Sequence, residues 1–458
     1  MTTQSGWHLS DLGNSERLVY RHGDSLRFCY ARTCWLVWGG ERWLADATAE
    51  VVRRAKETVR NICREAAEVV DDEERKMIVR WALHSESRTR IDAMIKLAES
   101  EPGIPVAPDQ LDADPWLLNV ENGTIDLRTG TLHPHRRGNL LTKLAPVEYA
   151  PDATCPLWLD FLHRILAGNE ELIRFLRRAI GYALTGDTRE QAFFMLWGSG
   201  ANGKSTFLET IRAMLGEYAQ QADFTTFLTR NRDGIRNDVA RMDGTRFVSA
   251  VETEGNRRLA EVLVKQVTGG DRVTARFLYR EFFEFVPSFK LFVATNYKPL
   301  IHGTDHAIWR RIHLIPFSVT IPDHEQDRTL PARLKSEIPG ILSWAVKGCM
   351  EWQHEGLSAP TEVTAATSAY RAEMDRLADF LSDCCETDAY ATVKSGDLWS
   401  AYHCWCEVNQ TEPMSKNEFW SQISVRGFAA DTGTHGVRHR TGLRIRSYAM
   451  QEAAHNGI

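Results

Sequence analysis

No stretch of this 458-residue sequence approaches the roughly 18–20 continuous apolar residues that a membrane span requires. The first residues, Met1 to Trp7, lack the basic-then-apolar order of a secretory leader, so the expected location is the cytosol. A disulfide framework is also missing, because the nine cysteines are odd in number and scattered. Cys404 and Cys406, with His435 and His439 downstream, have the ligand types of a zinc site. Cys-x-Cys is not the usual zinc spacing, however, and two thiols flanking a packed Trp405 is the preferred reading. There is no internal repeat, heptad pattern or low-complexity tract. Basic charge is not in excess either: 55 Lys and Arg face 61 Asp and Glu, for a net charge of −6. That excludes a molecule that coats nucleic acid with its whole surface, but not one with a local basic groove or pore.

What remains is an ordinary globular composition, 43% hydrophobic and 25% charged, long enough for several domains. Residues 1 to about 48 read as short tryptophan-rich strands, with Gly39-Gly40 turning a hairpin between Trp35-Leu36-Val37-Trp38 and Arg42-Trp43-Leu44. From Ala49 to Ser100 the periodicity is helical, with Val52, Ala55, Val59, Ile62 and Cys63 on one face and Arg53, Arg54, Lys56 and Arg60 opposite. The basic face has the charge to touch DNA, although a solvated helix face is the commoner meaning of such a run. Pro102 to Pro108 reads as a linker and Pro146 to Pro156 as a hinge. Between them, Trp116 to Leu127 reads as two strands about an Asn122-Gly123 turn. A helical segment is predicted from Trp158 to about Leu184.

The strongest motif is Gly198-Ser199-Gly200-Ala201-Asn202-Gly203-Lys204-Ser205, followed by Thr206, a full match to G-x-x-x-x-G-K-[ST]. Phe193 to Trp197 before it reads as a buried strand, and Phe207, Leu208, Ile211, Met214 and Leu215 after it repeat with helical spacing. Glycines let such a loop curl its N–H groups toward phosphate oxygens, and the helix N-terminus adds a favourable dipole. This predicts ATP and Mg2+ as cofactors, with Lys204 on the β- and γ-phosphates and Ser205 as a magnesium ligand.

Three downstream segments add candidates. The strand Arg246 to Val251 ends in Glu252-Thr253-Glu254, where Glu252 is assigned to the metal and Glu254 to polarising the attacking water. The strand Lys290 to Thr295 ends in Asn296, which spacing leaves open between a γ-phosphate sensor and a common strand-ending residue. Arg310 and Arg311 follow Trp309; such a pair either positions phosphate, is solvated, or supplies an arginine to a neighbouring subunit's nucleotide.

These pieces, in this order, resemble the superfamily 3 helicases, and specifically the phage and plasmid primase-helicase group related to the poxvirus-type primase C-terminal region. Asp11 to Val19 and Trp35 to Trp38 look like the start of that group's pre-helicase domain. Asp114 to Val120, Asn122 to Leu127 and Leu141 to Val147 look like its middle, and Lys265 to Asp271 like the element before its sensor strand. The resemblance implies that Asn296 is the sensor and Arg311 the trans-acting arginine. It also implies an α/β fold: an AAA+-like core with an α+β N-terminal domain, a helical collar and a C-terminal winged helix. The expected divisions are 1–150, 151–186, 187–358 and 359–458. A ring, commonly a homo-hexamer, would translocate 3′ to 5′ on single-stranded DNA and unwind forks in phage or plasmid replication.

Members of that group often carry a primase upstream. Asp112-Ala113-Asp114 is only superficially like a primase metal pair, so a separately encoded primase partner is the simpler expectation. Val273 to Val286 alternates like a pore hairpin, and by the same likeness Lys265, Arg276 and Arg280 are candidate DNA contacts. Near the end, Leu398 to Tyr402 and Phe419 to Ile423 read as helices, with Gly433-Thr434-His435-Gly436 as the tip of a wing. Arg438, Arg440 and Arg444 are the phosphate-contact candidates there. A small-molecule kinase shares the P-loop but needs an acceptor pocket and lid. A loader ATPase, which remodels a complex without unwinding, stays open as the alternative.

Overall fold

The structure, a computed structural model, describes residues 7–229, 237–252, 257–276, 281–301, 306–409, 411, 413–432 and 437–446. Two predictions, the strands before Leu26 and the linker at Pro102–Pro108, need correction for the N-terminal region. Its first element is a helix, Asp11–His22, where strands were expected; the Ser10 hydroxyl caps it by accepting from the Gly13 amide at 3.1 Å. The long helical stretch divides into Glu50–Glu65, Asp72–Ser85 and Arg88–Ala98, because Asp71 and Ser87 start new helices. The expected hairpin is present: Cys34–Trp38 pairs antiparallel with Trp43–Ala45, and Leu26–Cys29 completes the sheet. The Pro102–Pro108 stretch is no free linker. Ile104 and Val106 are buried and exchange backbone hydrogen bonds with Phe28.

The strands about the Asn-Gly turn form as predicted, Leu117–Val120 against Gly123–Asp126, with Thr131–His133 beside them. The helical segment that follows breaks in two, Pro156–Ile165 and Glu170–Leu184. Ala167 and Gly168 take left-handed backbone angles at the break, and the Asn169 side chain caps the second helix on the Leu172 amide at 3.1 Å. This second helix lies against Ile338–Glu355 so closely that each needs a glycine. A Cβ at Gly181 would overlap the backbone of Gly348 and Cys349, and one at Gly348 would overlap the Arg177 carbonyl.

At the centre is a five-stranded parallel sheet in the order Ile312–Pro316, Phe193–Trp197, Lys290–Thr295, Phe247–Val251, Ala219–Asp223. Numbered by chain position, that is fifth, first, fourth, third, second. Its inner strands are mostly apolar and almost wholly buried because both faces are covered. One core joins Leu118, Ile125, Trp158, Phe175, Phe194, Phe207 and Trp344, so helices and strands preceding residue 187 pack directly on the sheet. Two buried cations reinforce the junction. Arg246 donates to the carbonyls of Leu184 and Leu117, each at 2.7 Å, and Lys290 donates to those of Thr185 and Ser288. None of these acceptors is a carboxylate: Leu184 and Thr185 stand at a helix end, whose carbonyls carry partial negative charge, and Leu117 and Ser288 supply the other two.

The last module has its own core of Leu377, Phe380, Tyr402, Phe419, Ile423 and Leu443. Helices Ser395–Val408 and Lys416–Val425 pack beside a three-stranded antiparallel sheet of Cys385–Lys394, Arg438–Ile445 and Ala430–Thr432. The predicted wing tip, 433–436, lies outside the described residues. No described helix is long and apolar enough to cross a membrane.

Candidate functional site

The loop after Phe193–Trp197 shows why its glycines are there. Gly200 and Gly203 adopt φ of 105° and 81°, and Ala201 shares the left-handed region at 47°. A Cβ at Gly203 would come within 2.6 Å of Ile165 Cγ2, so helix Pro156–Ile165 presses directly on the loop. Helix Lys204–Leu215 begins at Gly203 with no side-chain cap, which leaves its first amides to be satisfied by something else.

Lys204 is almost fully buried, and its Nζ uses all three of its donors. They go to Gly198 O at 2.8 Å, Asn202 Oδ1 at 2.9 Å and Asn296 Oδ1 at 3.2 Å. None of these acceptors is charged, and burial pulls the Lys204 pKa down to about 8. Asn202 donates in turn to Phe317 O at 3.3 Å, and Ala201 O accepts from Ile321 N at 2.7 Å, so the chain after the edge strand walls one side of the loop. Ser199 reaches Thr320 at 3.4 Å, Ser205 is exposed and Thr206 half-buried.

Strand register accounts for the rest of the cluster. Lys290–Thr295 lies between the P-loop strand and Phe247–Val251, with Thr295 opposite Trp197 and Ala294 opposite Val251. One residue further, Asn296 is beside the loop and Thr295 is beside Glu252. Glu252 is buried, and its carboxylate takes the Thr295 hydroxyl on Oε2 while Oε1 has no partner among the described residues. Burial raises its pKa above the usual carboxylate range. Thr295 was not among the sequence candidates, although a hydroxyl residue just before the strand-ending Asn is a signal that could have found it. Glu254 lies outside the described residues.

The two arginines are elsewhere. They precede Ile312, which pairs with Phe193, the first residue of the P-loop strand. Since that strand is parallel and 5 residues long, the pair lies at the end of the sheet opposite the P-loop, roughly 16 Å away at about 3.3 Å per residue. They also differ from each other. Arg311 is buried, with Nε donating to Thr268 Oγ1 at 3.2 Å and Nη1 to Ala307 O at 2.6 Å. Arg310 is exposed and donates to Gln191 Oε1 at 2.7 Å.

Of the proposed DNA contacts, Arg280 lies outside the described residues. The hairpin itself is formed by Val273–Ala275 and Phe283–Phe285, and Arg276 covers the Phe282 ring at 4.6 Å. Lys265 is half-buried on helix Glu261–Gly269. In the last module Arg438 is exposed and Arg444 reaches Asp388 at 3.3 Å. Arg440 does not fit its assignment: it is buried over the Trp420 ring and donates to Ser424 Oγ at 2.8 Å and Phe428 O at 3.1 Å. Cys404 and Cys406 are buried on either side of Trp405, and His435 lies outside the described residues. Among the described residues no three His, Cys, Asp or Glu side chains gather as a metal site.

Residues 15–167 match a family described as D5 N terminal like, and residues 372–425 one described as Poxvirus D5 protein-like. Residues 196–311, which include the whole Gly198–Ser205 motif, Glu252 and Asn296, match a family of unknown function, DUF5906. Among curated proteins the chain is similar to "Putative helicase L207/L206" of Acanthamoeba polyphaga mimivirus, 28% identical over 60% of this chain and 31% of that one. It is also similar to "Putative helicase 022R" of Frog virus 3, 27% identical over 53% and 27%. "Putative primase C962R" of African swine fever virus, strain Badajoz 1971 Vero-adapted, is 24% identical over 65% and 34%. The chain thus spans about a third of the length of the curated relatives it matches. These relatives come from viruses of eukaryotic hosts, where the sequence resemblance had pointed to phages and plasmids. Among solved structures, the A-form apo structure of the NrS-1 C terminal region superposes with a TM-score of 0.50 at 9% identity. It covers 94% of this chain and 100% of that one, which shows a shared fold.

Proposed function

We propose that this chain, a member of the D5-type primase-helicase family by its matched domains and viral relatives, is an ATP-driven DNA helicase of superfamily 3. The carrying observation is the convergence of Lys204, Asn296 and Glu252 at one end of a parallel sheet while Arg310 and Arg311 lie at the other.

The residues fit a nucleotide and its metal. Uncapped amides at Lys204–Leu215 and the Lys204 ammonium suit a polyphosphate. The buried Glu252 Oε1, which has no hydrogen-bond partner among the described residues, suits a cation beside Ser205. When bound, Mg2+ would neutralise charge developing on the phosphates. The chain's own part is to hold: Lys204 releases its three neutral acceptors for phosphate, Asn296 offers its amide to the transferring group, and Thr295 fixes Glu252.

An arginine on the far side of the sheet cannot reach its own P-loop, which supports catalysis between neighbours in a ring. Arg310 is the exposed member and is proposed as the trans-acting group. Arg311 is proposed as the residue that anchors this segment within its own protomer. The sheet order, with the sensor strand between the P-loop strand and the acidic strand, supports the AAA+-like reading, and the last module supports a winged helix. The divisions near 150, 186 and 358 are retained as functional units; one core draws on the first three, and the last module has its own.

The test combines three measurements: ATPase activity with and without single-stranded DNA, unwinding of a forked duplex, and electron microscopy with a non-hydrolysable analogue. DNA-stimulated hydrolysis, unwinding and rings with a central hole are the expected results. Hydrolysis stimulated by DNA without unwinding would replace the helicase by a loader, and persistent monomers would remove the ring.

A further inference from the structure

We infer that the N-terminal domain carries a second DNA-contact surface, a stripe of Lys56, Arg60 and Arg64 that grips the phosphate backbone of duplex DNA outside the ring's pore. The inference rests on the proposed action on DNA. All three residues are exposed on helix Glu50–Glu65, and their spacing of four places them in one row along its axis. The opposite face, Val51, Ala55, Val59 and Ile62, is buried in the domain core, so the row is held outward.

The helix treats its cations in two ways. Arg53 pairs with Glu50 at 2.6 Å, and Arg54 is half-buried, bonded to Glu50 at 3.1 Å and to Ser25. These two spend their charge on the fold. Lys56, Arg60 and Arg64 make no ion pair or side-chain hydrogen bond among the described residues. Glu57 is the single acid interleaved with the row, leaving it net positive on a chain whose net charge is −6.

From residue 56 to residue 64 the helix rises about 12 Å, at 1.5 Å per residue. That spans roughly three to four phosphates of one strand of a duplex, at 3.4 Å of axis each. The exposed surface of this helix has no aromatic side chain; its other outward residues are Arg53, Glu57 and Cys63. Binding of single strands relies on stacking bases against aromatic rings as well as on charge. A row of charge without rings is suited to a backbone whose bases are already stacked, which is why duplex is the assigned partner.

The experiment uses the full chain and fluorescence anisotropy with a blunt duplex and with oligo-dT, each from 50 to 200 mM salt. In a K56A/R60A/R64A variant, duplex affinity should fall at least about tenfold at low salt, and the slope of log K against log salt should flatten by roughly 2.7, three contacts at 0.9 each. Oligo-dT affinity should stay within about twofold, and the far-UV circular dichroism and melting midpoint report whether the variant is folded. A control variant neutralising Arg75, Lys76 and Arg88 removes the same charge elsewhere on the domain. Unchanged duplex binding, an equal fall in oligo-dT affinity, or an equal fall in the control would each overturn the stripe. A parent chain that binds oligo-dT but not duplex would overturn the stripe alone, and one that binds neither would overturn the proposed function and the stripe together.

Discussion

Lys204 and Asn296 meet at 3.2 Å, Nζ donating to Oδ1, across 92 positions of sequence. The bond joins the P-loop to the tip of the neighbouring strand and gives the lysine a neutral partner where a phosphate would give it a charged one. Burial without a counter-charge is what draws the Lys204 pKa to about 8.

ATP affinity should therefore depend on pH in a defined direction. A triphosphate favours the charged lysine, so the complex keeps its proton to higher pH than the free site does. Above pH 8 binding must take up a proton, and affinity should fall by up to about tenfold per pH unit. Below pH 8 this contribution is constant. Titrating a fluorescent ATP analogue between pH 7 and 9.5 measures it, and Lys204→Met should flatten the curve. The same decline in that variant would assign the effect to another group.

Asn296 offers Lys204 its carbonyl and has its amide NH2 left for the nucleotide. Asn296→Asp keeps an acceptor for the lysine but loses the donor, and Asn296→Ala loses both. Both variants should lower kcat by on the order of 10²-fold, the cost of one preorganised donor, with KM little changed. An Asp variant at the parent's kcat would mean that the acceptor role toward Lys204 is all that Asn296 contributes.

Glu252→Gln separates function from stability. The folded pKa of Glu252 is raised, so the folded state binds its proton more tightly than the unfolded chain does. Its ionisation then costs stability as pH rises above the ordinary carboxylate range, and at pH 7 the buried carboxylate opposes folding. The amide isostere should melt higher than the parent at pH 7, lose that advantage toward pH 4, and lose ATP hydrolysis. A lower midpoint at pH 7 would show that the carboxylate is compensated in the fold.

What could be read in advance was local and contiguous. The P-loop, its strand and its helix occupy one run of residues whose apolar spacing and glycines need no distant partner. Long-range matters were illegible. Spacing could not show that register brings Thr295 to Glu252, that Arg440 folds over Trp420, or that Arg246 and Lys290 end on carbonyls of segments far away. The break at Ala167-Gly168 escaped because apolar periodicity continues on both sides of it.

Gly181→Ala tests the contact between helices Glu170–Leu184 and Ile338–Glu355. The added methyl would meet backbone at Gly348 and Cys349, which cannot swing aside as a flexible side chain would. Overpacking of this kind should cost about 1–3 kcal/mol, read as an earlier denaturant midpoint. Gly138→Ala, where nothing lies within 4 Å, is the matching control.

The neighbouring arginines should part company on mutation. Arg310 is exposed, so Arg310→Ala should leave the melting midpoint alone and lower ATPase by on the order of 10³–10⁵, the usual worth of a trans-acting arginine. Arg311 is buried against Thr268 and Ala307, so Arg311→Ala should destabilise by about 1–3 kcal/mol as polar groups lose their partner. Mixing resolves whether Arg310 works across an interface. Arg310→Ala keeps a sound P-loop, and Lys204→Ala keeps a sound arginine. In random one-to-one rings about a quarter of the sites would join an intact P-loop to an intact neighbouring Arg310. Activity should return toward that fraction although each variant alone is inactive. No recovery on mixing, in rings shown to exchange subunits, would place Arg310 outside the neighbour's catalytic site.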